Sequence, residues 1–401
     1  MIFSNNPPLS LYIHLPWCEQ KCPYCDFNSH QAKGFDEQAY IRALIEDLQQ
    51  DLPLIWGRPI SSVFIGGGTP SLFSAEAIHQ LLSDLRACLK LNPGIEITME
   101  ANPGSADESR FKGYREAGVN RLSIGIQSFD DSSLRNIGRI HDGDQSLAAF
   151  DKAQQAGFDN INLDLIYALP GQTLQQAMKD LSLAIELQPE HISLYQLTIE
   201  PNTLFYNRPP DNLADDDLSW DIQQQAQRAL ANAGYLQYEI SAYARQGRQS
   251  RHNMNYWTFG DYLGIGAGAH GKITLGGEGR VMRRTRSRNP EAYLKLQGAD
   301  RITETRELNE QDLVFEFMLN ALRLVDGFDL SLFKQHCGLN TDILNPPLEK
   351  VIHMGLLERT INRLKPTALG LQFHNDLQEI FLDVDSRKIS AITIDTDFFP
   401  S

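Results

Sequence analysis

Three cysteines crowd one stretch of the chain, Cys18-Glu-Gln-Lys-Cys22-Pro-Tyr-Cys25, with the spacing C-x3-C-x2-C. Thiolates this close on one loop can face a single ion or cluster. A structural zinc site needs a fourth ligand; no further cysteine follows nearby, which leaves His14 or His30 to complete it. An iron–sulfur cube held by three cysteines instead leaves one iron open to a ligand that is not protein, and the spacing favours that chemistry. The other two cysteines, Cys88 and Cys337, lie in helical apolar patterns and read as structural. An odd count clustered in this way is no disulfide framework and suits a reducing compartment.

The loop has to be held by something, and the flanking sequence supplies alternating short β-rich runs and helical patterns. The β-rich runs are Leu9–His14, Ser61–Ile65, Ile95–Ala101, Arg121–Gln127, Asn160–Tyr167 and His191–Leu197. Between and after them the helical period marks Phe35–Leu52, Ser74–Leu91, Asp107–Ala117, Gln145–Ala156, Thr173–Leu187 and Asp216–Ala233. Strict alternation predicts an α/β fold with a parallel sheet. An open doubly wound sheet is compatible with this, but the polar residues Glu100, Gln127, Asp164 and Gln196 close their runs, which favours a partial (βα)6 barrel of TIM type, where chemistry gathers at strand C-termini. Residues 1–235 form this core in the sequence reading, and 236–302 read as a looser connecting segment. Residues 303–401 suggest a winged-helix-like α+β module, with helices at Leu308–Val325, Leu330–Cys337, Asn345–Met354 and Asn375–Phe381 and β-like runs at Leu356–Asn362 and Lys365–Phe373.

The cysteine spacing after the first strand of such a chain resembles the radical S-adenosylmethionine (SAM) superfamily. There the open iron binds the amino and carboxylate groups of SAM, and reduction cleaves it to a 5′-deoxyadenosyl radical. The blocks LYIHLPWCEQKCPYCDF, FIGGGTPS, EANPG, RLSIGIQSFD and LDLIYALPGQT resemble those of the anaerobic coproporphyrinogen III oxidase-like family over roughly residues 9–271. The resemblance implies a 4Fe–4S cluster on Cys18, Cys22 and Cys25. It implies SAM contacts from Tyr12, Gly67, Gly68, Thr69, Glu100, Gln127, Arg139 and Asp164, with the Tyr24 backbone near. Read from the residues alone, the glycine triplet lets backbone N–H groups approach a ligand closely or simply makes a tight turn.

Two branches share these blocks. The oxidase branch continues the cysteine motif with a further cysteine, where this chain has Phe27, and carries an N-terminal extension before its first strand, which is expected here at about Leu9. The haem-chaperone branch carries H-N-x-x-Y-W, matched by His252, Asn253, Tyr256 and Trp257. That match implies haem as bound cargo and delivery to respiratory haemoproteins. A neutral imidazole can ligate haem iron and flat aromatics can pack on the macrocycle. His252 is the first expected ligand; His270, His14 and His141 are rivals. The arginines Arg245, Arg248, Arg251, Arg280, Arg283, Arg284, Arg286 and Arg288 flank the motif and suit haem propionates. No catalytic residue is assigned: SAM cleavage fits the resemblance and a substrate radical reaction is not expected. Oxygen-independent coproporphyrinogen III dehydrogenase and a radical SAM methyltransferase are the alternatives.

The 401 residues carry 36 Lys and Arg against 51 Asp and Glu, a net charge of −15, which argues against a broad nucleic-acid footprint. The C-terminal module shares the acidic balance, which excludes DNA as its partner. No apolar run reaches the ~18 residues that a membrane helix needs, and the opening residues, with no basic stretch and no long apolar core, are not expected to act as a secretory leader. A cytoplasmic protein, working peripherally at the inner membrane when it delivers, is expected, and a homodimer is compatible with the sequence.

Overall fold

The computed structural model describes residues 1–382. Six strands, β1 (Leu9–Leu15), β2 (Ile60–Gly67), β3 (Leu91–Ala101), β4 (Arg121–Gln127), β5 (Ile161–Tyr167) and β6 (His191–Gln196), lie parallel in chain order. The helices between and after them are α1 (Glu37–Ile55), α2 (Ala75–Cys88), α3 (Glu108–Ala117), a short α4 (Asp131–Asn136), α5 (Gly143–Gln155), α6 (Leu174–Glu186) and α7 (Asp216–Asn232). Most start on a side chain that accepts a backbone N–H: Asp36, Ser74, Asp107, Asp142, Thr173 and Asp215. Asp142 explains why α5 begins before the expected Gln145: it forms a capping box with that residue. Period-2 alternation sends Leu11, Ile13, Val63, Ile65, Ile97 and Met99 into a core shared with Leu44, Leu48, Leu81 and Leu85 of the helices. The intervening residues meet across the sheet's other face, where Ser10 bonds Ser62 and Tyr12 stacks on Phe64.

The expected connecting segment is not a loose connector. It supplies β7 (Leu236–Glu239), β8 (Ala242–Ala244), α8 (Arg251–Trp257), β9 (Asp261–Ile265), β10 (His270–Leu275) and β11 (Arg280–Arg286), and β12 (Ile302–Glu307) follows. These strands extend both edges of the same sheet, giving the order β12-β11-β10-β9-β1-β2-β3-β4-β5-β6-β8-β7. β9 runs parallel to β1 as a seventh parallel strand; the outer ones are antiparallel. The sheet is therefore open, with twelve strands, rather than limited to six strand–helix units. β9 was hidden because its sequence, DYLGI, is embedded in a glycine run that breaks the pattern.

The C-terminal module packs a second core around Leu313, Phe317, Phe333, Val351 and Phe381. Its helices α9 (Glu310–Ala321), α10 (Leu330–Cys337), α11 (Asn345–His353), α12 (Ala368–Gln372) and α13 (His374–Glu379) surround a small sheet of β13 (Phe328–Asp329), β14 (Leu357–Arg359) and β15 (Arg363–Pro366). The expected β-run Lys365–Phe373 stops at Pro366, because Thr367 accepts from the Gly370 N–H and starts α12. Residues 383–401 of the expected module lie outside the described residues.

Candidate functional site

The cysteine loop leaves β1 at its C-terminal end and is knitted to the sheet by backbone. The Gly68 N–H donates to Leu15 O at 2.8 Å and the Thr69 N–H to Trp17 O at 2.7 Å. A Cβ on Gly68 would stand 2.5 Å from the Trp17 carbonyl oxygen, and one on Gly67, at φ +123°, would strike the His14 ring. The Gly67 N–H donates to Glu100 Oε2 at 3.0 Å. The glycines are thus needed for close packing of the cysteine loop on β2, and their N–H groups are already taken within the protein. What this turn offers a ligand is lining surface.

Cys18, Cys22 and Cys25 are all unpaired, and they open onto one cavity of about 660 Å³ at the strand C-termini. Among the described residues no three His, Cys, Asp or Glu side chains converge tightly enough for one metal ion. Tyr24, Gly67, Gly68, Thr69, Glu100, Gln127, Arg139 and Asp164 also line this cavity, so the structure brings together every residue that the resemblance implied for SAM except Tyr12. Tyr12 stands deeper along β1, its hydroxyl 2.9 Å from His14 Nδ1. Arg139 reaches across from beyond α4, donating from Nη1 to Cys22 Sγ at 3.5 Å and from Nη2 to Gly125 O at 2.5 Å; its buried Nε has no partner. Burial pushes the Cys18 and Cys25 thiols up, opposed by hydrogen bonds such as that from Thr69 to Cys18.

Two carboxylates share the cavity. Burial, and then the neighbouring Asp164, push Glu100 up to about 7. Asp164 is also pushed up by burial, against a 2.8 Å hydrogen bond from Ser123 Oγ and a 2.9 Å one from Asn162 Nδ2. Asn162 is fixed in turn by His191, 2.6 Å away, whose other nitrogen is 2.8 Å from the Tyr238 hydroxyl. Ser123 and Asn162 escaped the sequence reading, though alternation was a usable signal: Asn162 precedes Asp164 by two and shares its face.

Because Glu100 binds its proton more tightly folded than unfolded, neutral Glu100 contributes stability below about pH 4.5 that is lost as pH rises through about 7. The unfolding free energy of the cofactor-free protein is expected to fall over that window, and Glu100→Gln to flatten the fall. Denaturant titrations from pH 4.5 to 7.5 check this; an unaltered slope in the variant would assign the titration to another group.

The HNMNYW helix α8 sits at the opposite end of the strands. His252 is buried at 1% exposure, with Nδ1 3.0 Å from Ser62 Oγ near the start of β2 and Nε2 3.0 Å from the Tyr256 hydroxyl. Its backbone N–H donates to Glu96 Oε1 at 3.1 Å. Burial drags the imidazole down to about 3, so it is neutral, but neither nitrogen is free for iron. In this geometry His252 braces the foot of the sheet, with both ring nitrogens hydrogen-bonded within the fold. Asn253 is half-buried on the same helix, and Tyr256 and Trp257 line a separate crevice of about 190 Å³ with Lys272 and Arg283.

The arginine cluster is also largely spoken for. Arg286 is fully buried, 3.0 Å from Asp47 and 2.5 Å from Asp51; Arg284 pairs with Asp51, Arg283 with Glu316, and Arg280 with Glu278. Arg245 lies over the Tyr235 ring and Arg251 donates to Gly94 O. The sequence showed the cations but not α1, which delivers Asp47 and Asp51 to them.

The radical SAM superfamily model matches residues 12–184 and the HemN C-terminal domain model residues 308–373. Over 377 residues the chain is 48% identical to the heme chaperone HemW of Escherichia coli strain K12, covering 94% of this chain and 98% of that protein. The chain belongs to the HemW family. Identity to the HemW of Bacillus subtilis strain 168 is 34% over 381 residues, covering 93% and 99% of the two chains. Among solved structures, coproporphyrinogen III oxidase (HemN) from Escherichia coli superposes with a TM-score of 0.78 at 25% identity, covering 94% of this chain and 90% of that one. The matched radical SAM region contains the cysteine loop, Glu100 and Asp164, while the cavity wall is completed by later residues such as Gln196, Tyr243 and Arg323, and α8 lies outside both matched regions.

Proposed function

We propose that this chain is a haem carrier that holds a 4Fe–4S cluster on Cys18, Cys22 and Cys25, binds SAM in the same cavity, and hands haem to respiratory haemoproteins. The observation that carries the reading is membership of the HemW family along nearly the whole chain. The cavity suits the two cofactors on its own chemistry. Three unpaired thiols face it, and the buried carboxyl groups of Glu100 and Asp164, the second raising the first, would favour a cationic ligand beside them. The sulfonium and ammonium of SAM are such cations, and Arg139, with an unpartnered buried Nε, suits a carboxylate. With both groups bound, the pair supplies one-electron reductive chemistry. The residues' own part is to fix the thiolates, neutralise the ligand's charges and keep water out of the strand ends.

No helix among the described residues is long and apolar enough to cross a membrane. The carrier works from the cytoplasm and meets its recipients at the membrane face. Phe27 stands where the oxidase branch has a cysteine, so coproporphyrinogen III turnover is expected to be absent.

Haemin titration of the anaerobically reconstituted protein, followed at the Soret band, tests the reading; saturable binding supports it and its absence overturns it. In the same titration His252→Ala is expected to leave haemin affinity unchanged. It should lower stability by about 1–3 kcal/mol, because Ser62 and Tyr256 lose a buried partner. Weakened haemin binding at full stability would restore His252 as the ligand.

A further inference from the structure

A haem carrier needs an iron ligand, and the histidines sort themselves by environment. His14, His191 and His252 engage both ring nitrogens inside the fold. His141, His336 and His374 are buried, and His30 is bonded both to the Asn28 side chain through Nε2 and to the Arg288 backbone. His79 and His353 lie on exposed faces of α2 and α11 and do not line the cavity. His270, at the start of β10, is exposed, with Nδ1 3.2 Å from Thr285 Oγ1 on the paired strand β11. Among the described residues nothing is hydrogen-bonded to its Nε2.

The neighbourhood of His270 has the remaining chemistry. Asn28 Nδ2 donates to both Ala267 O and Arg288 O, each at 2.9 Å, and so ties the end of the cysteine loop to the strand edge that carries His270. Arg288 is exposed and has no carboxylate partner among the described residues, unlike Arg283, Arg284 and Arg286. Its charge, with that of Arg283, adds to burial in holding the His270 imidazole below its ordinary range, hence neutral at physiological pH. Phe27, the residue before Asn28, is 62% exposed at the cavity mouth.

We propose that haem docks on this rim, beside the cysteine loop, with His270 Nε2 as an axial ligand of the iron, Arg288 on a propionate and the Phe27 ring against the porphyrin face. The proposal rests on the haem-carrier reading and names its ligand. A histidine whose Nδ1–H donates to a hydroxyl has its tautomer and ring orientation set, leaving the Nε2 lone pair for a metal. A guanidinium fork fits a carboxylate, and a phenyl ring offers a flat apolar surface. An exposed seat suits cargo that must be given up, since release rates carry most of the affinity difference between related complexes.

The test is haemin titration of the full-length reconstituted protein, comparing wild type with His270→Ala, His270→Cys, Arg288→Ala and, as a control, His79→Ala. Wild type and His79→Ala are expected to bind alike. His270→Ala should weaken binding roughly tenfold or more and lose the imidazole-ligated spectrum. Arg288→Ala should weaken it roughly tenfold with the spectrum kept. His270→Cys should bind with a thiolate-type ferrous carbonyl spectrum, a ligand swap that loss of structure does not mimic. Wild-type affinity and spectra in both His270 variants would overturn this ligand while leaving the carrier reading intact. No saturable binding by the wild type would overturn both.

Discussion

Cys22→Ser protein, reconstituted anaerobically with iron and sulfide, is expected to lose at least roughly tenfold in cluster content relative to wild type, because a direct ligand is worth no less than a supporting one. The proposed cluster ligands are three thiols on one loop, and they are the cysteines that line this cavity. The other two cysteines of the chain, Cys88 and Cys337, do not line this cavity and offer no replacement thiolate. A serine hydroxyl keeps the shape but is a hard oxygen donor where iron–sulfur chemistry wants a soft one. The fold should survive, since the loop is anchored by backbone bonds from Gly68 and Thr69 rather than by Cys22. Arg139 loses its sulfur partner and keeps Gly125 O. Iron and sulfide assays with the charge-transfer absorption read the effect, and Cys88→Ser, on the far end of α2, is the control that should stay at wild-type content. A Cys22→Ser protein with full iron and sulfide would mean the cluster is held elsewhere.

The second large effect concerns stability. Arg286→Met is expected to lower the unfolding free energy by about 3–5 kcal/mol, the cost of stranding a buried charge partner. Arg286 has no solvent exposure, and it joins Asp47 and Asp51 of α1 to β11. Asp47 also accepts from the Tyr293 hydroxyl at 2.7 Å and from the Gly266 N–H at 3.1 Å. Remove the guanidinium and two buried carboxylates face each other with Arg284 alone. Burial already pushes Asp47 up, and Arg286 is the largest influence against it. Without it the folded state holds a proton more tightly than the unfolded chain, so the deficit should shrink as pH falls and grow as pH rises. Denaturant midpoints at pH 5 and pH 8, with Asp47→Asn in the Arg286→Met background recovering part of the loss, check both claims. A stable variant with weakened haemin binding would return Arg286 to the propionate role that its place in the sequence suggested.

Some of this protein was determined by its sequence alone. Alternation of branched runs with capped amphipathic stretches is a local property, so the six parallel strands and their helices were legible, with ends moved by a few residues where caps such as Asp142 decided. The cysteine spacing is also local: a loop of that length brings its three thiols to one cavity. Strand-end polar residues were legible because period and topology together put them at one mouth.

What only the tertiary structure decided is pairing at long range. Whether Arg286 meets a propionate or a carboxylate depends on α1, more than two hundred residues earlier in the chain. Whether His252 is a ligand depends on Ser62 and on the end of the sheet at which α8 lands. Whether the glycine triplet cradles a ligand or accommodates the neighbouring loop depends on the Trp17 carbonyl and the His14 ring. In each case the residue type announces a capacity to bond, and the fold satisfies that capacity from within because a buried polar group without a partner costs more than any local preference can repay.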